Sequence, residues 1–123
     1  MDRVTQIVNL SSPLSSPIKA SICSSFATKL RGLMFVSTLP RDEGLLFIET
    51  SDSKINSSIH MFFMNFDISV IWLNRNLEVV DVILAKKWHP AYFPARPASY
   101  TLEIHPSRLE EFHIGDKISI TNG

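Results

Sequence analysis

Short runs of β-branched and aromatic residues, separated by turn-forming residues, recur along the whole chain. Val, Ile, Phe and Trp fit the pleated surface of a β-sheet, so these runs predict strands. The predicted strands are 4–10, 18–23, 45–49, 59–64, 68–73, 78–84, 100–104 and 116–120. About eight short strands with few helices favour an antiparallel sandwich or closed barrel, because parallel pairs need more crossover helices.

Two segments between the strands favour helix. Residues 24–33 begin with serines that can cap a helix, and they place Phe26, Leu30 and Leu33 on one face. Pro106 begins a second short helix (PSRLEEF), at a position where its missing N–H costs nothing. We therefore expect one or two short helices beside the strands.

The best-defined local unit is a hairpin made of strands 68–73 and 78–84. Asn74-Arg75-Asn76 joins the two strands, and asparagine tolerates the positive φ that short loops require. The first strand is apolar at every position except Ser69. It is therefore predicted to be a central strand that is covered on both faces. Gly115-Asp116 is predicted to form the tight turn into the last strand.

Residues 86–99 (KKWHPAYFPARPAS) contain three prolines, which exclude a regular central strand or helix. No acidic residue occurs from Val82 to Leu102. Aromatic faces next to cations suit stacking and anion contacts, as with a sugar, a nucleotide or a single strand. The alternative is that Trp88 and Phe93 close one end of the sandwich while the cations lie in water. The cations and the histidine are Lys86, Lys87, Arg96 and His89.

Composition narrows the class of protein. Of 123 residues, 45% are hydrophobic and 20% are charged, as in soluble globular domains. Twelve basic and twelve acidic residues leave a net charge of zero, which is unlike a broad nucleic-acid-binding surface, so we expect no nucleic acid partner. The single cysteine, Cys23, excludes an internal disulfide and is expected to be a small buried hydrophobe.

Targeting and membrane signals are missing from the uncharged stretches. Residues 4–18 are too polar to be a signal peptide, and residues 55–66 are too short to be a spanning helix. We therefore expect a cytoplasmic protein without a membrane span.

The sequence contains no phosphate-binding glycine loop, paired-cysteine motif, zinc-protease helix or nucleophile elbow. The histidines His60, His89, His105 and His113 are too far apart along the chain to form a local metal motif. We therefore expect no metal and no cofactor.

Five short blocks occur in an order and spacing that resemble domain-of-unknown-function family 192. The blocks are LRGLM at 30–34, GLLF at 44–47, HMFFM at 60–64, LE at 102–103 and GD at 115–116. The resemblance covers about residues 4–120. It implies a single domain, residues 1–123, that is a small prokaryotic β-sandwich of jelly-roll type. It implies no activity, because none is established for the family as a whole.

The chain departs from the family pattern at two places. Where the family has an acid, this chain has Ser69, and Asp67 lies two residues earlier on the same strand face. Where the family has a glycine after its Leu-Glu block, this chain has Ser107.

Four residues in or near the family blocks are candidates for chemistry. His60 can act as a general base or contact a ligand, with Asp67 or Glu103 nearby in space. Arg31 has the planar fork that suits a carboxylate or phosphate. The structural alternatives are a His60 satisfied by a backbone carbonyl, an Asp67 at a solvated edge, and ion pairs within the domain for Arg31 and Glu103.

Three hypotheses for function follow. The first is a non-catalytic accessory domain that binds a small molecule or a protein partner through the 86–99 loop and a pocket near His60. The second is a small hydrolase or carbohydrate-acting enzyme that uses His60 with Asp67 or Glu103 as acid and base. The third is a structural subunit, which predicts a sizeable exposed apolar patch. The candidate ligand-binding residues are His60, Arg31, Asp67, Trp88, His89 and Glu103.

Overall fold

Seven strands form one continuous sheet in the computed structural model, which describes residues 3–23, 39–61 and 64–122. A single 3₁₀ helix accompanies them in these ranges. The elements are β1 (Val4–Asn9), β2 (Ile18–Cys23), β3 (Glu43–Ser53), β4 (Ile68–Leu73), β5 (Val79–Ala85), β6 (Ala98–Ile104), the 3₁₀ helix (Pro106–Glu111) and β7 (Ile118–Asn122). No helix within these ranges is long and apolar enough to cross a membrane.

The sheet is mixed, so the expectation of a wholly antiparallel arrangement is wrong. Its order is β5-β4-β6-β3-β2-β1-β7, and β2 and β3 pair in parallel, with Ser21 beside Leu45. The parallel pair is made possible by the long connection between Cys23 and Glu43, which serves as the crossover that such a pair needs. The mainly β class is confirmed, but the strands form one sheet instead of two stacked ones.

The sheet curls until its two edge strands approach each other. The Ile118 N–H donates to the Leu77 carbonyl and the Val79 N–H to the Asp116 carbonyl, both at 2.9 Å. The curl encloses a hydrophobic cluster that draws residues from all seven strands. Its fully enclosed members include Ile7, Ile18, Leu46, Ile71, Leu102 and Ile104. We call this side of the sheet the inner face.

A second hydrophobic cluster covers the opposite, outer face of β4, β5 and β6. Ile68, Val70 and Trp72 of β4 belong to it, while Ile71 and Leu73 point to the inner face. Every residue of β4 is buried, which confirms the predicted central strand. Residues from outside the sheet complete the outer cluster: Leu39, Ile59, Met61 and Met64.

Two local predictions are corrected by the structure. In the predicted strand 59–64, the described residues 59–61 and 64 form one bridge, between Ile59 and Tyr92, instead of a strand. The β4–β5 hairpin is confirmed, but the residue with positive φ is Leu77, at 61°, and not an asparagine. The reason is that the Asn74 side-chain oxygen accepts the N–H groups of residues 76 and 78 and so fixes the turn itself.

Two further predictions, a tight turn at Gly115 and a short helix at Pro106, are confirmed. Gly115 forms the predicted tight turn before β7 with a φ of 94°. Pro106 begins the predicted short helix, which is of the 3₁₀ type. The helix predicted at 24–33 lies outside the described residues.

Arg108 of the 3₁₀ helix is completely buried, and its guanidinium joins three segments of the chain. It donates to both carboxylate oxygens of Glu111, at 2.6 and 3.2 Å. It also donates to the Ser16 carbonyl (2.5 Å) and hydroxyl (3.1 Å), the Arg41 carbonyl (3.0 Å) and the Asp42 carboxylate (3.1 Å). The helix is thereby tied to the β1–β2 turn and to the start of β3.

Glu111 is the acidic partner in this network. Burial by itself would raise the pKa of Glu111, but hydrogen bonds from the Ser15 N–H and from Arg108 bring the pKa below its ordinary value of 4.5. A lowered carboxyl pKa stabilises the fold above that ordinary value, and the contribution is lost as the pH falls through the folded-state pKa.

We expect Arg108→Ala to lower the free energy of unfolding by about 3–5 kcal/mol at neutral pH, because it leaves buried acceptors without their donor. The loss should shrink below about pH 4.5, where Glu111 becomes protonated in the unfolded chain and then in the folded one. Urea unfolding followed by circular dichroism measures both quantities. Arg96→Ala removes an exposed arginine and should change the free energy by less than about 0.5 kcal/mol. Equal effects of the two substitutions would contradict the structural role of Arg108.

Candidate functional site

The segment 86–97 connects β5 to β6 and passes over the outer cluster without forming a strand of its own. Two backbone hydrogen bonds, of 3.0 and 2.8 Å, join Ile59 to Tyr92. Met61 forms two more, of 2.8 and 3.0 Å, with the backbone of residues 88–89. These bonds satisfy backbone groups in a segment where prolines prevent regular pairing. The 86–97 loop is therefore an ordered cover of the sheet.

Two carboxylates fasten the loop near its beginning and near its end. The Lys87 N–H donates to Asp67 at 2.8 Å, and the Lys86 ammonium lies 3.5 Å from the same carboxylate. The Ala95 N–H donates to Asp81 of β5 at 2.8 Å. The Asp67 carboxylate therefore holds the loop in place by accepting a hydrogen bond from the loop's backbone. This is a structural role for a predicted site residue.

Trp88 has an unusual backbone conformation and an exposed side chain. Its φ of 67° lies in the left-handed region, which costs an ordinary L-residue about 1–2 kcal/mol. Its side chain is 52% exposed, whereas that of Trp72 is completely buried. The backbone N–H of Trp88 donates to the Met61 carbonyl at 2.8 Å. The strained conformation is therefore fixed by the hydrogen bonds between the loop and the segment that contains Met61. The indole is thus held at the surface.

Two side chains of the loop stack on each other, and several others are exposed. The rings of His89 and Tyr92 stack, with centroids 4.2 Å apart, and the Tyr92 hydroxyl accepts the Lys86 N–H at 2.9 Å. Phe93 is 57% exposed. Lys86, Lys87 and Arg96 are exposed as well. We call the group Lys86, Lys87, Trp88, Phe93 and Arg96 the basic–aromatic surface.

His60 lies in the segment on which the loop rests. Its chain neighbours Ile59 and Met61 both belong to the outer cluster. Alternation along this extended segment places the His60 side chain on the opposite side of the segment, and its Nδ1 atom is buried.

Glu103 lies on the outer face of β6, between Leu45 of β3 and Val70 of β4. The residue is only 4% exposed, and burial raises the pKa of its carboxyl to about 8. Asp67 precedes Val70 by three residues, which is about 10 Å along a strand. The structure therefore does not bring Asp67 and Glu103 side by side. Arg31 lies outside the described residues.

A small pocket opens on the outer face at Thr101, two residues from Glu103 along β6. The residues that line it were not predicted from the sequence. Its volume is about 110 Å³. Cys23, Phe47 and Thr101 line it from β2, β3 and β6, and Ser57 and Ile59 line it from the segment beside the loop. Cys23 is buried, as expected. The available signal was the run of small polar residues Asn56, Ser57 and Ser58, together with Thr101 of β6.

The described residues contain no group of three or more His, Cys, Asp or Glu side chains that could hold a metal ion. The pocket is lined by hydroxyl, amide, thiol and apolar groups together with the single carboxylate of Glu49. Such a lining suits a small polar ligand that is recognised by hydrogen bonds.

The raised pKa of Glu103 leads to a prediction about stability. The folded state holds the carboxyl proton up to about pH 8, while the unfolded chain releases it near 4.5, so stability falls as the pH rises through this range. Glu103→Gln removes this dependence. Between pH 5 and 7.5, urea unfolding should show the variant gaining about 3 kcal/mol relative to the wild type. Glu110→Gln, at an exposed position, is the matched control. A constant difference between Glu103→Gln and the wild type across this range would contradict the raised pKa.

Comparison with protein families places residues 7–120 in one of them. The matching family model is DUF192, described as "Uncharacterized ACR, COG1430". A UPF0127 protein of Pyrococcus horikoshii is 43% identical over 115 residues, which cover 91% of this chain and 96% of that protein. UPF0127 proteins of Thermococcus kodakarensis and Thermococcus gammatolerans are both 40% identical, over 84% and 80% of this chain. The chain spans 65% and 63% of the length of these two Thermococcus relatives.

Two crystal structures share the fold at low sequence identity. A Sinorhizobium meliloti protein, named "a putative transcription regulator", superposes with a TM-score of 0.80 and 13% identity, covering 98% of this chain and 94% of that one. A Novosphingobium aromaticivorans protein of unknown function gives a TM-score of 0.76 and 20% identity, covering 94% and 83%. These likenesses establish the fold alone. The family match and the Pyrococcus relative together show that the chain belongs to the DUF192 (COG1430) family of UPF0127 proteins.

Proposed function

We propose that this protein is a non-catalytic binding domain that holds its partner on the basic–aromatic surface. The observation that carries the proposal is Trp88, which is kept more than half exposed in a left-handed backbone conformation. Strained backbone in an otherwise well-bonded segment concentrates at functional sites. More than half of the residue is exposed, so the indole is available to a partner, which supports a binding role for this position.

The anchoring of the loop supports binding on physical grounds. Asp67, Asp81 and the backbone of Ile59 and Met61 fix the loop before any partner arrives. A preorganised loop avoids most of the ordering cost of association, so a modest contact area can give measurable affinity. Tryptophan and arginine are also the residue types that most often contribute large binding energies.

The small pocket beside the loop favours a small molecule as a further ligand of the same domain. Its polar lining of Ser57, Thr101 and Asn56 suits hydrogen bonding to a compact polar group. Ile59, the chain neighbour of His60, lines this pocket, and a pocket that His60 itself lines stays a prediction.

The geometry gives less support to the alternative of a small hydrolase or carbohydrate-acting enzyme. Asp67 already accepts the Lys87 N–H and lies 3.5 Å from the Lys86 ammonium, and Glu103 is only 4% exposed. The acid–base partner of His60 must reach the substrate, which this occupied carboxylate and this enclosed one do not favour.

Nucleic acid is likewise a weak candidate for the partner. The name of the Sinorhizobium meliloti protein points to transcription, but that protein shares only 13% identity with this chain. Twelve basic residues are balanced by twelve acidic ones, so the chain as a whole lacks the excess positive charge that broad phosphate binding requires.

Site-specific photo-crosslinking tests the proposed surface without knowing the partner. With benzoylphenylalanine in place of Phe93, we expect irradiation of native cells to yield a covalent adduct. Combining it with Lys86→Ala, Lys87→Ala and Arg96→Ala should abolish the adduct and leave the melting temperature nearly unchanged, because all three side chains are exposed.

The control places the same photoreactive residue at Ile114, which is 65% exposed in the turn before β7. This position lies outside the basic–aromatic surface and should give no adduct of its own. If position 93 yields no more adduct than position 114, the proposed binding role is wrong.

A further inference from the structure

The basic–aromatic surface combines two kinds of side chain that together suit one chemical environment. Trp88 and Phe93 are 52% and 57% exposed, although both are large and apolar. Lys86 and Lys87 immediately precede Trp88, and Arg96 follows Phe93 closely. At the boundary of a bilayer, aromatic rings lie at the headgroup level while basic side chains contact anionic headgroups.

From this combination we infer that the basic–aromatic surface docks on an anionic lipid bilayer, an inference that rests on the binding role proposed above. The domain would lie on the membrane, with Trp88 and Phe93 entering the headgroup region and the three cations facing lipid phosphates. Such peripheral attachment requires no spanning segment.

The residue types favour lipid over a protein partner. Lysine is depleted at the centre of protein–protein interfaces, whereas here two lysines adjoin the exposed indole. Against an anionic bilayer, the same lysines keep their ammonium groups near water and contribute attraction.

The placement of the aromatic rings also favours lipid over a single nucleic acid strand. Proteins that bind single strands use a charged groove in which successive bases stack on aromatic faces. Trp88 and Phe93 do not line the pocket of about 110 Å³ described above and instead stand on a loop. The His89 ring, a further stacking face, is already stacked on Tyr92.

The acidic groups beside the loop oppose this docking only weakly. Asp67 and Asp81 accept hydrogen bonds from the loop's own N–H groups at Lys87 and Ala95, which compensates part of their charge. Asp67 also lies 3.5 Å from the Lys86 ammonium. The charge of Lys86 is thus partly shared, and Lys87 and Arg96 carry more of the attraction.

The expected association is weak, reversible and sensitive to salt. Each basic residue near an anionic membrane surface strengthens binding by roughly fivefold, so three residues give on the order of a hundredfold preference over a neutral bilayer. Raising the ionic strength screens this attraction and should release the protein.

Vesicle binding tests the inference with the complete chain. We expect co-sedimentation with vesicles of phosphatidylcholine and phosphatidylglycerol, and much less with phosphatidylcholine alone. The fluorescence of Trp88 also reports binding, because Trp72 is completely buried and should not respond. The emission of Trp88 should shift to the blue when the protein binds vesicles, and Trp88→Phe should remove the shift. Lys87→Ala with Arg96→Ala should weaken binding by about 25-fold.

The matched control removes two exposed lysines elsewhere, Lys19→Ala with Lys117→Ala, and should leave binding within about threefold of the wild type because these positions lie outside the surface. Equal weakening by both pairs would overturn the inference, since net charge alone would then explain binding. Failure of the wild type to bind anionic vesicles would also overturn it.

The vesicle and crosslinking experiments separate the two proposals. If vesicles fail while the photoreactive residue at position 93 captures a protein or a nucleic acid, the lipid inference falls and the binding surface stands. If position 93 captures nothing and vesicles fail, both proposals fall. Capture of lipid at position 93 together with vesicle binding supports both.

Discussion

The buried guanidinium of Arg108 is the contact on which the arrangement of the strands most depends. A charged group without solvent is tolerated only where every donor finds an acceptor, and here Glu111, Asp42 and two backbone carbonyls provide them. Because those acceptors come from the β1–β2 turn, the start of β3 and the 3₁₀ helix, the guanidinium sets their relative positions. The parallel β2–β3 pair begins at this junction.

The curl of the sheet explains why a covered outer face exists. All seven strands contribute to the inner cluster, so that cluster alone accounts for the closure near Leu77 and Ile118. The outer face of β4, β5 and β6 then presents a second apolar surface, and exposing this surface to water would be unfavourable. The 86–97 loop and the Ile59–Met61 segment cover it. The exposed aromatic residues of the loop thus stand on an element whose own fold depends on the sheet beneath it.

Local sequence patterns predicted most strands and the irregular loop of the candidate site. The bounds of β2 and β4, the burial of β4 on both faces and the helix beginning at Pro106 were all accessible, because periodicity and proline chemistry act locally. The parallel pair and the burial of Arg108 were not, because they depend on partners far along the chain. The prolines predicted an irregular loop at 86–99, which in the structure ends two residues earlier because β6 begins at Ala98. The hydrogen bond from the Lys87 N–H to Asp67 could not be predicted without the fold.

The two tryptophans differ in burial and in backbone conformation. Trp72 is enclosed, and its indole N–H donates to the Ser57 carbonyl at 2.8 Å, so both its apolar surface and its polar atom stabilise the fold. Trp88 gains neither full burial nor a relaxed backbone. Glycine, which has no Cβ, would meet the backbone requirement at position 88 with less strain. A partner that contacts the exposed part of this indole would also meet the two lysines that precede it, so the proposed contact must accept an aromatic ring next to two ammonium groups.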